Sequence, residues 1–429
     1  MANLISFTLS LIYLIEIVTG HHGGIGVFGR STEVLDAILP RFPPYHYPRR
    51  QFSEISETKD FISGLFSNTR ATSHPKLRCG DINGTCPAGY CCSSGGFCGK
   101  DFHYCSGPAC QLSYGDECDG NKAPNGTHTK DIPRPKLGNL TYGGGGIYKC
   151  TKKNVVALTF DDGPYIYTTT ILDILAEYNA KSTFFITGNN IGKGAMDNES
   201  TGYPQIIQRM YREGHQIASH TWTHQNLSAI TQIQRENQMY YNEMAFRNIL
   251  GFFPTYMRPP YSEVNNETQK MLFDMGYHSI LYNINSNDYD NDKPETIQLS
   301  KDEINKQFAT TNATAGYPAN FIEIAHDIHE QTAHNLTRFT LERMKTLGFG
   351  TSITVGECLG DPEENWYRSA TGAPVGAPVS RVLANVSPTK IPSSGPSSTV
   401  SSISLAEPTA FIRDSKFGMM IGAAGLAAV

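Results

Sequence analysis

The sequence predicts an α/β fold: a distorted, incomplete (β/α) barrel of about seven units, joined to a small disulfide-rich module. Between residues 148 and 360, short apolar runs alternate with stretches of helical periodicity, which is typical of a mostly parallel sheet with helices outside it. Eight cysteines within residues 79–118 predict the module. A doubly wound open sheet is the alternative arrangement for the same alternation.

The barrel prediction rests on seven apolar runs and on the amphipathic stretches between them. The candidate strands are 155–160, 182–187, 216–219, 255–258, 279–283, 321–326 and 350–355. One predicted helix has a face made of Ile171, Ile174, Leu175 and Tyr178. A second has a face made of Ile230, Ile233, Tyr240 and Met244.

The start of the chain indicates export. Residues 1–20 contain an apolar core and end in small residues, as a secretory signal peptide does; a short membrane anchor is the alternative. We interpret residues 21–76 as a propeptide or linker, and residues 121–147, which are rich in Pro, Asn and Gly, as a second linker. A net charge of −5 over 429 residues gives no reason to expect a nucleic-acid partner.

The end of the chain has the features of a glycolipid attachment signal. Residues 361–404 form a predicted stalk rich in Ser, Pro and Thr, and residues 405–429 end in an uncharged apolar stretch. We expect this last segment to be removed and a GPI anchor to join the chain at Ser401, Ser402 or Ser404. A disordered end with a chance apolar run is the alternative. Nine sequons predict glycosylation, at Asn83, Asn125, Asn139, Asn198, Asn226, Asn266, Asn312, Asn335 and Asn385.

Five unusual polar segments each follow a predicted strand. They are TFDDGP (159–164), SHTWTH (219–224), MRPPY (257–261), NINSNDYD (283–290) and IAHDIH (324–329). Parallel βα folds gather functional loops at the carboxyl ends of their strands. The five segments therefore predict one active site at that end of the barrel.

Two of these segments suggest a metal site. His220 and His224 are four residues apart, so both imidazoles can face one point, and two His with one Asp leave a position on a zinc-type ion open for water. Asp161 and Asp162 are consecutive, and consecutive residues of an extended segment point to opposite sides. One can therefore bind the metal while the other has a separate task. The alternatives are an incidental histidine pair and an ordinary Asp-Asp-Gly-Pro turn.

The five segments resemble, in order, the five motifs of the polysaccharide deacetylases, the NodB-homology group of carbohydrate esterase family 4. TFDDGP, SHTWTH and RPPY match the first three motifs closely, and IAH matches the fifth with Ile324 in place of Leu. The resemblance covers residues 150–360. It implies a hydrolase that removes N-acetyl groups with one divalent metal, zinc or cobalt.

The resemblance also implies roles for individual residues. Asp162, His220 and His224 are the expected metal ligands, and Asp161 is the expected general base. Arg258 would pair with Asp161, orient it and keep it ionised; a surface ion pair is the alternative.

The remaining catalytic residues come from the last three motifs. The backbone N–H of Tyr261 would help to hold the oxyanion, and His326 would protonate the departing amine with Asp288 as its partner. A hydrogen-bonded core histidine is the alternative for His326. The fourth motif departs from the usual D-x-x-D-W, because Asn285 replaces the first Asp and Tyr289 replaces Trp. The replacement of Asp by Asn removes one negative charge beside the site, whereas the expected metal ligands, base and acid are all retained.

The cysteine cluster (module, 77–120) resembles the hevein-like chitin-binding module, family 18 of the carbohydrate-binding modules, through CCSSGGFCGKDFHYC. Spacing alone permits 105 pairings; the resemblance implies the disulfides Cys79–Cys92, Cys86–Cys98, Cys91–Cys105 and Cys110–Cys118. It also places Ser93, Phe97 and Tyr104 at sugar-binding positions, while Gly95 lacks the first aromatic ring. A disulfide knob without a sugar site is the alternative.

Cys150 and Cys358 lie outside the cluster and bracket the predicted catalytic domain (148–360). We expect them to pair, because free thiols are rare in secreted proteins. This disulfide would join the first and last segments of the barrel.

Together these features predict a secreted, GPI-anchored chitin deacetylase of the cell surface or wall, which converts chitin or chitin oligomers to chitosan and acetate. The substrate prediction depends mainly on the hevein-like module. The alternative is a lectin-like chitin-binding protein whose deacetylase barrel is inactive. The sequence leaves the oligomeric state open.

Overall fold

Parallel strands drawn from residues 143–326 form the sheet at the centre of the fold. A computed structural model describes residues 77–310 and 320–375; the predicted signal peptide, propeptide and GPI signal lie outside these ranges. The strands are β1 (Cys91–Cys92), β2 (Cys98–Gly99), β3 (Gly143–Ile147), β4 (Val155–Asp161), β5 (Thr183–Ile186), β6 (Gln216–Ser219), β7 (Phe252–Pro254), β8 (Tyr256–Met257), β9 (His278–Ile280), β10 (Ile284–Asn285), β11 (Asn320–His326) and β12 (Tyr367–Ser369).

Helices cover the central sheet, apart from α1 (Phe102–Cys105), which belongs to the cysteine-rich module. The others are α2 (Thr168–Glu177), α3 (Tyr203–Arg212), α4 (Gln232–Leu250), α5 (Asn266–Asp274), α6 (Ile297–Ala309), α7 (Thr337–Leu347) and α8 (Val355–Leu359). A π-helical turn, Thr332–Leu336, precedes α7. All residues of β5 and β6, and all but the first of β4, are buried, as expected for parallel strands covered on both faces.

The strand order identifies the sheet as an incomplete barrel. It runs β10-β11-β4-β5-β6-β8-β9-β3, with every neighbouring pair parallel. The succession β4-β5-β6-β8-β9 keeps one direction, whereas a doubly wound sheet reverses at a switch point. Among the described residues, β10 and β3 are the edges and do not pair. The predicted α/β barrel is thus confirmed.

The central sheet differs from the prediction in two respects. The predicted strand 350–355 is wrong, because this segment leads into α8, whose first turn is capped by Thr354. The two edge strands of the sheet, β3 and β10, were not indicated by the sequence. The segments GGGGI and Ile-Asn each contain a single β-branched apolar residue, which is too few for the run or alternation that marks a strand.

The predicted apolar face of α4 is also partly wrong. Ile230 precedes the helix, and Ile233 is 71% exposed. Thr231 and Gln234 form a capping box that begins the helix at Gln232, which places Ile233 in the first turn on the solvent side. Met244 is buried as expected.

The predicted linker 121–147 is packed against the barrel. Its Arg134 donates through Nη1 and Nη2 to the carboxylate of Glu243 in α4, at 2.7 and 2.8 Å, and its last five residues form β3. After residue 360, β12 pairs with β7. The boundaries 148–360 are therefore too narrow, because polar loop composition does not reveal side-chain contacts with a distant helix.

Disulfides hold both parts of the fold. Within the module, the bonds are Cys79–Cys92, Cys86–Cys98, Cys91–Cys105 and Cys110–Cys118. Cys150 is bonded to Cys358. These are the five pairs expected from the sequence. Half-cystines make up most of the module's small core, so the covalent bonds replace the apolar packing that so short a segment lacks. In the part of the chain that is described, no helix is both long and apolar enough to cross a bilayer.

Candidate active site

The five polar segments meet at the carboxyl end of the sheet. TFDDGP begins within β4, SHTWTH follows β6, MRPPY follows β8, NINSNDYD contains β10, and IAHDIH contains the end of β11. Parallel pairing places Asp161 directly beside His326 and brings Ser219 beside Met257. The strand ends therefore converge, as parallel βα architecture requires.

Asp162, His220 and His224 form a compact set of donor atoms. Asp162 Oδ1 lies 3.6 Å from His220 Nε2 and 3.3 Å from His224 Nε2, and the donor atoms of the three residues lie within 4.8 Å of one another. A tetrahedral zinc site with bonds of about 2.0–2.2 Å separates neighbouring donors by about 3.3–3.6 Å. The spacing therefore fits a zinc-type ion held by two nitrogens and one oxygen.

The protonation of the two histidines also suits metal binding. Nδ1 of His220 lies 2.6 Å from the backbone oxygen of Arg258, and because a carbonyl only accepts, Nδ1 carries the hydrogen and Nε2 keeps its lone pair. Burial lowers the pKa of His220 well below its usual value, with His224 adding to the effect. Burial likewise lowers the pKa of His224. Both rings are therefore neutral, the form that binds metals.

Asp161 is held by a buried arginine instead of by the two histidines. Arg258 Nη1 donates to Asp161 Oδ1 at 2.6 Å and to Thr159 Oγ1 at 2.7 Å, and the guanidinium carbon lies 4.1 Å from the centre of the Phe185 ring. The other oxygen, Oδ2, is 3.7 Å from His220 Nε2. One carboxylate oxygen is thus fixed by Arg258 while the second lies at the edge of the ligand set.

Burial has the largest effect on the pKa of Asp161. It raises the pKa of Asp161 to about 6, and the positive charges of Arg258 and His326 limit the rise. A carboxylate with such a pKa is a stronger base than an exposed one and is still ionised near neutral pH. Arg258 is itself almost fully buried, which excludes the surface ion pair considered from the sequence.

His326 and Asp288 form the second charged pair of the site. His326 Nδ1 donates to Asp288 Oδ1 at 2.8 Å, and the His326 backbone N–H donates to Oδ2 at 2.7 Å. Thr332 Oγ1 and Ser286 Oγ also donate to this carboxylate. Burial opposes protonation of His326, but the charge and hydrogen bond of Asp288 raise its pKa to about 10. His326 is therefore a protonated acid whose Nε2 is the nitrogen not used by Asp288.

The residues that depart from the family motif lie beside this pair. Asn285 Oδ1 accepts from the Asn287 N–H at 3.0 Å, and Asn285 Nδ2 donates to the Tyr289 hydroxyl at 3.4 Å. The Tyr289 ring meets His326 edge-on, with 5.5 Å between ring centres. Asn285 thus shapes the turn that carries Asp288. Tyr261, at the opposite side, is 43% exposed, and its ring lies 4.8 Å from that of His224.

Two residues that the sequence did not indicate, the half-buried Lys193 and the buried Asp327, support the TFDDGP turn. Lys193 Nζ donates to the backbone oxygens of Asp162 and Gly163, both at 2.7 Å. Asp327 accepts from Thr168 Oγ1 at 2.7 Å and lies against Gly163, where no Cβ would fit. Asp327 stands inside the IAHDIH segment, but Lys193 belongs to no motif and its role depends on a contact 31 residues away.

The predicted sugar-binding residues share one part of the module. Ser93 Oγ donates to the backbone oxygen of Phe97 at 3.1 Å, and the Arg78 guanidinium covers one face of the Phe97 ring at 4.1 Å. The Tyr104 ring lies on Gly99 of β2, where no Cβ would fit. All three predicted residues are half-buried.

The predicted glycosylation sites differ in exposure. Those on the described surface are Asn83, Asn125, Asn139, Asn198 and Asn266. Asn226 and Asn335 are half-buried, and the Asn335 amide donates to Gln331. Asn312, Asn385 and the serines expected to carry the anchor lie outside the described residues.

The parallel barrel, with charged and metal-ligating residue types converging at the carboxyl end of its sheet, defines the class of protein as a parallel α/β enzyme. A sequence profile of the family "Polysaccharide deacetylase" matches residues 148–280. A chitin deacetylase of Colletotrichum lindemuthianum is 40% identical over 223 residues, which are 52% of this chain and 86% of that protein. A chitin deacetylase of a Pestalotiopsis species is 41% identical over 224 residues, 52% of this chain and 70% of that one.

A solved structure of the chitin deacetylase from the fungal pathogen Colletotrichum lindemuthianum is 41% identical, covers 52% of this chain and 95% of that chain, and has a TM-score of 0.48. The identity and coverage of the sequence relatives establish the family. The chain belongs to the polysaccharide deacetylases. The family predicted for the barrel is thereby confirmed, whereas the hevein-like assignment of the module stays a prediction.

Proposed function

We propose that this protein is a metal-dependent chitin deacetylase, which hydrolyses the N-acetyl groups of β-1,4-linked N-acetylglucosamine polymers to give chitosan and acetate. The observation that carries the proposal is the placement of two ionised pairs, Asp161–Arg258 and Asp288–His326, on neighbouring strand ends beside the Asp162, His220 and His224 donors. A base, an acid and a ligand set at one point are what amide hydrolysis requires.

Asp162, His220 and His224 would hold the divalent cation, which supplies polarisation of the acetamide carbonyl and a lower pKa for the attacking water. Zinc fits this mixed nitrogen and oxygen donor set, and cobalt takes similar ligands. Among the protein's own residues, Asp161 acts first. Its carboxylate accepts the proton of the attacking water, and Arg258 holds Oδ1 so that Oδ2 remains directed to the reaction.

Protonation of the leaving amine falls to His326. Because Asp288 occupies Nδ1 and keeps the ring charged, Nε2 is the nitrogen that donates its proton as the C–N bond breaks. The backbone N–H of Tyr261 would donate to the oxyanion, and this residue has a positive φ of 60°. A backbone held in that unusual conformation fits a donor whose position matters for catalysis.

Chitin is the favoured substrate for two reasons. The two relatives described above carry the name chitin deacetylase. In addition, Ser93, Phe97 and Tyr104 offer a hydroxyl and two half-exposed rings, a combination that suits stacking and hydrogen bonding with N-acetylglucosamine. Gly95 provides no ring, so we expect the module to bind chitin weakly.

The location is also part of the proposal. We infer a secreted protein with residues 21–76 as propeptide or linker and a GPI anchor at Ser401, Ser402 or Ser404. Because β12 is packed on β7, the proposed stalk is limited to residues 376–404. Five disulfides support an oxidising compartment. The exposed sequons Asn83, Asn125, Asn139, Asn198 and Asn266 are the favoured glycosylation sites.

Acetate release from chitin oligomers tests the proposal. The wild-type protein should release acetate with zinc or cobalt present, stop when a chelator removes the metal, and recover when the metal is restored. His220→Ala should lose metal and turnover together. No acetate with saturating zinc or cobalt, or a His220→Ala variant that keeps both properties, contradicts the proposal.

A chitin-binding protein with an inactive barrel is the second candidate, because Asn285 replaces an acidic residue of the family motif. Within the described residues, the Asn285 side chain bonds to the Asn287 N–H and to Tyr289, and its backbone bonds to Gln307. We therefore expect Asn285→Asp to change kcat by less than about threefold. A wild type without turnover that gains it through Asn285→Asp would favour the second candidate.

A further inference from the structure

The cysteine-rich module is packed on the loop that carries both histidines of the site. This histidine loop (residues 219–225) follows β6. Trp222 Nε1 donates to the backbone oxygen of Asp119 at 3.0 Å, and Gln225 Nε2 donates to the backbone oxygens of Pro108 and Cys110 at 3.2 and 3.4 Å. The module thus supplies three carbonyl acceptors to side chains that flank His224.

Two glycines of the module allow its backbone to approach the histidine loop closely. A Cβ on Gly120 would lie 2.6 Å from Leu112 Cδ2 and 2.7 Å from Thr223 Oγ1, and one on Gly107 would overlap the side chain and backbone of Thr223. Thr223 lies between His220 and His224 and is fully buried. The module backbone therefore touches the histidine loop directly, with no space for a side chain between them.

The histidine loop has a conformation that its residues do not favour alone. Thr221 has a φ of 70° and His224 a φ of 56°, a region that is costly for residues other than glycine and especially for a β-branched one. Such a conformation persists only where surrounding contacts determine it. On the barrel side, Gln238 supplies its backbone oxygen to Trp222 N–H and its Oε1 to Thr223 N–H.

A second contact reaches the third ligand. Gly107 and Asn190 form a parallel bridge, and the Ile191 N–H donates to the Gly107 oxygen at 2.7 Å. Two residues later, Lys193 holds the backbone oxygen of Asp162. The same module segment therefore borders both parts of the ligand set.

We propose that the module is a positioning element of the metal site: its segment 107–120 holds the histidine loop in the conformation that directs His220 and His224 toward one cation. This inference rests on the proposed function for the identity of the site. The contacts with the histidine loop come from residues 107–120, whereas the predicted sugar-binding residues Ser93, Phe97 and Tyr104 lie outside that segment. Sugar binding and positioning are therefore separable by substitution.

Gly120→Val in the full-length protein tests the proposal, because its side chain must displace Thr223. Gly145→Val is the matched control, since Gly145 is exposed in β3 and a Cβ there meets nothing within 4 Å. We expect Gly120→Val to raise the dissociation constants for Zn²⁺ and Co²⁺ at least tenfold in chelator competition. The visible absorption of the Co²⁺-loaded variant should also change, because it reports the geometry of the ligands. Gly145→Val should match the wild type in both.

Trp222→Phe provides an independent test should Gly120→Val fail to fold. It keeps an aromatic ring but loses the hydrogen bond to Asp119, and we expect a three- to tenfold weaker metal affinity with the same direction of spectral change. Ile82→Ala, an exposed change in the module, should have no effect. Kinetics on a soluble chitin tetramer should show lower kcat for Gly120→Val even at saturating substrate.

Unchanged metal affinity and cobalt spectrum in folded Gly120→Val and Trp222→Phe would overturn the proposal and leave the module as a sugar-binding attachment. The proposal would also be overturned if these variants lost only their binding to insoluble chitin and kept their metal affinity. The metal measurements need no turnover. A wild type that binds metal but releases no acetate would therefore refute the proposed function, while the comparison of variants still decides the role of the module.

Discussion

Two adjacent aspartates at the end of β4 have different surroundings. Asp161 continues the strand and meets Arg258, whereas Asp162 has a φ of 78° and faces the histidines. The change in backbone direction at Asp162 separates the two carboxylates, which would otherwise repel each other. The sequence predicts this division of tasks, although Asp161 Oδ2 lies closer to His220 than alternation along a strand suggests.

The pH dependence of the reaction should reveal the Asp288–His326 pair. Asp161 must be ionised and His326 protonated, so activity falls below a pH of about 6 and above about 10. A bound cation moves the acid limb lower. Since the folded pKa of His326 is raised above its ordinary 6.5, the stability that protonated His326 contributes is complete below 6.5 and is lost as the pH rises through about 10.

Asp288→Asn removes the charge that raises the pKa of His326. We expect the alkaline limb of kcat/KM to move down by several pH units and the rate at pH 8 to fall about 100-fold. Asp292→Asn is the matched control, because Asp292 forms an ion pair with His329 nearer the surface; its profile should match the wild type. An unshifted alkaline limb in Asp288→Asn would show that His326 is not the titrating acid.

At the scale of elements, a strand or helix could be predicted only where its own residues form a strong local pattern of apolar side chains. The buried strand β4 was placed to within a residue because it begins with a continuous apolar run, the mark of a strand covered on both faces. The edge strands β3 and β10 have no such run, and their pairing depends on distant partners. The helix that begins after the Thr231 capping box was predicted, and its buried face was assigned correctly at Met244 but not at Ile233.

In the candidate site, too, local sequence patterns predicted some residues, whereas others depend on distant contacts. The residues named from motifs, such as Asp162 and His224, meet where the sequence predicted. The groups that support them were not predicted, because Thr159, Phe185 and Lys193 act through contacts across the sheet that leave no spacing in the sequence. The motifs therefore identified residues that meet at one point, and the fold was needed to identify the groups that hold them there.

The segment before β3 should contribute to stability through Arg134. The side chain of its partner Glu243 is almost fully buried, and Tyr277 also donates to that carboxylate. Arg134→Met leaves a buried carboxylate and should lower the free energy of unfolding by about 3–5 kcal/mol in urea titration. The surface pair Arg338–Glu177 is the control, and Arg338→Met should leave the unfolding midpoint unchanged. Equal effects of the two changes would contradict a structural role for this segment.

At the scale of the whole molecule, the Cys150–Cys358 disulfide and the candidate active site lie at opposite ends of β4. Cys150 precedes β4, and Asp161 ends it. Seven residues of strand span about 20 Å. The Cys150–Cys358 bond joins residues 208 apart in the sequence and restricts the unfolded chain without touching the reacting groups.

Replacing both cysteines with alanine should therefore separate stability from activity. We expect the free energy of unfolding to fall by about 2–5 kcal/mol, while kcat at 25 °C stays within about twofold of the wild type. Urea unfolding and acetate release measured on the same preparation provide the test. A large loss of kcat in the still-folded variant would mean that this bond also determines the geometry of the site.

The most direct test of the central claim compares Asp161→Asn with Asp162→Asn, with metal affinity measured by chelator competition and turnover by acetate release. Asp161→Asn should bind zinc within about threefold of the wild type and lose at least 100-fold in kcat. Asp162→Asn should lose both metal and turnover. If the two variants bind metal equally well, or if Asp161→Asn keeps its turnover, the division between base and ligand is contradicted.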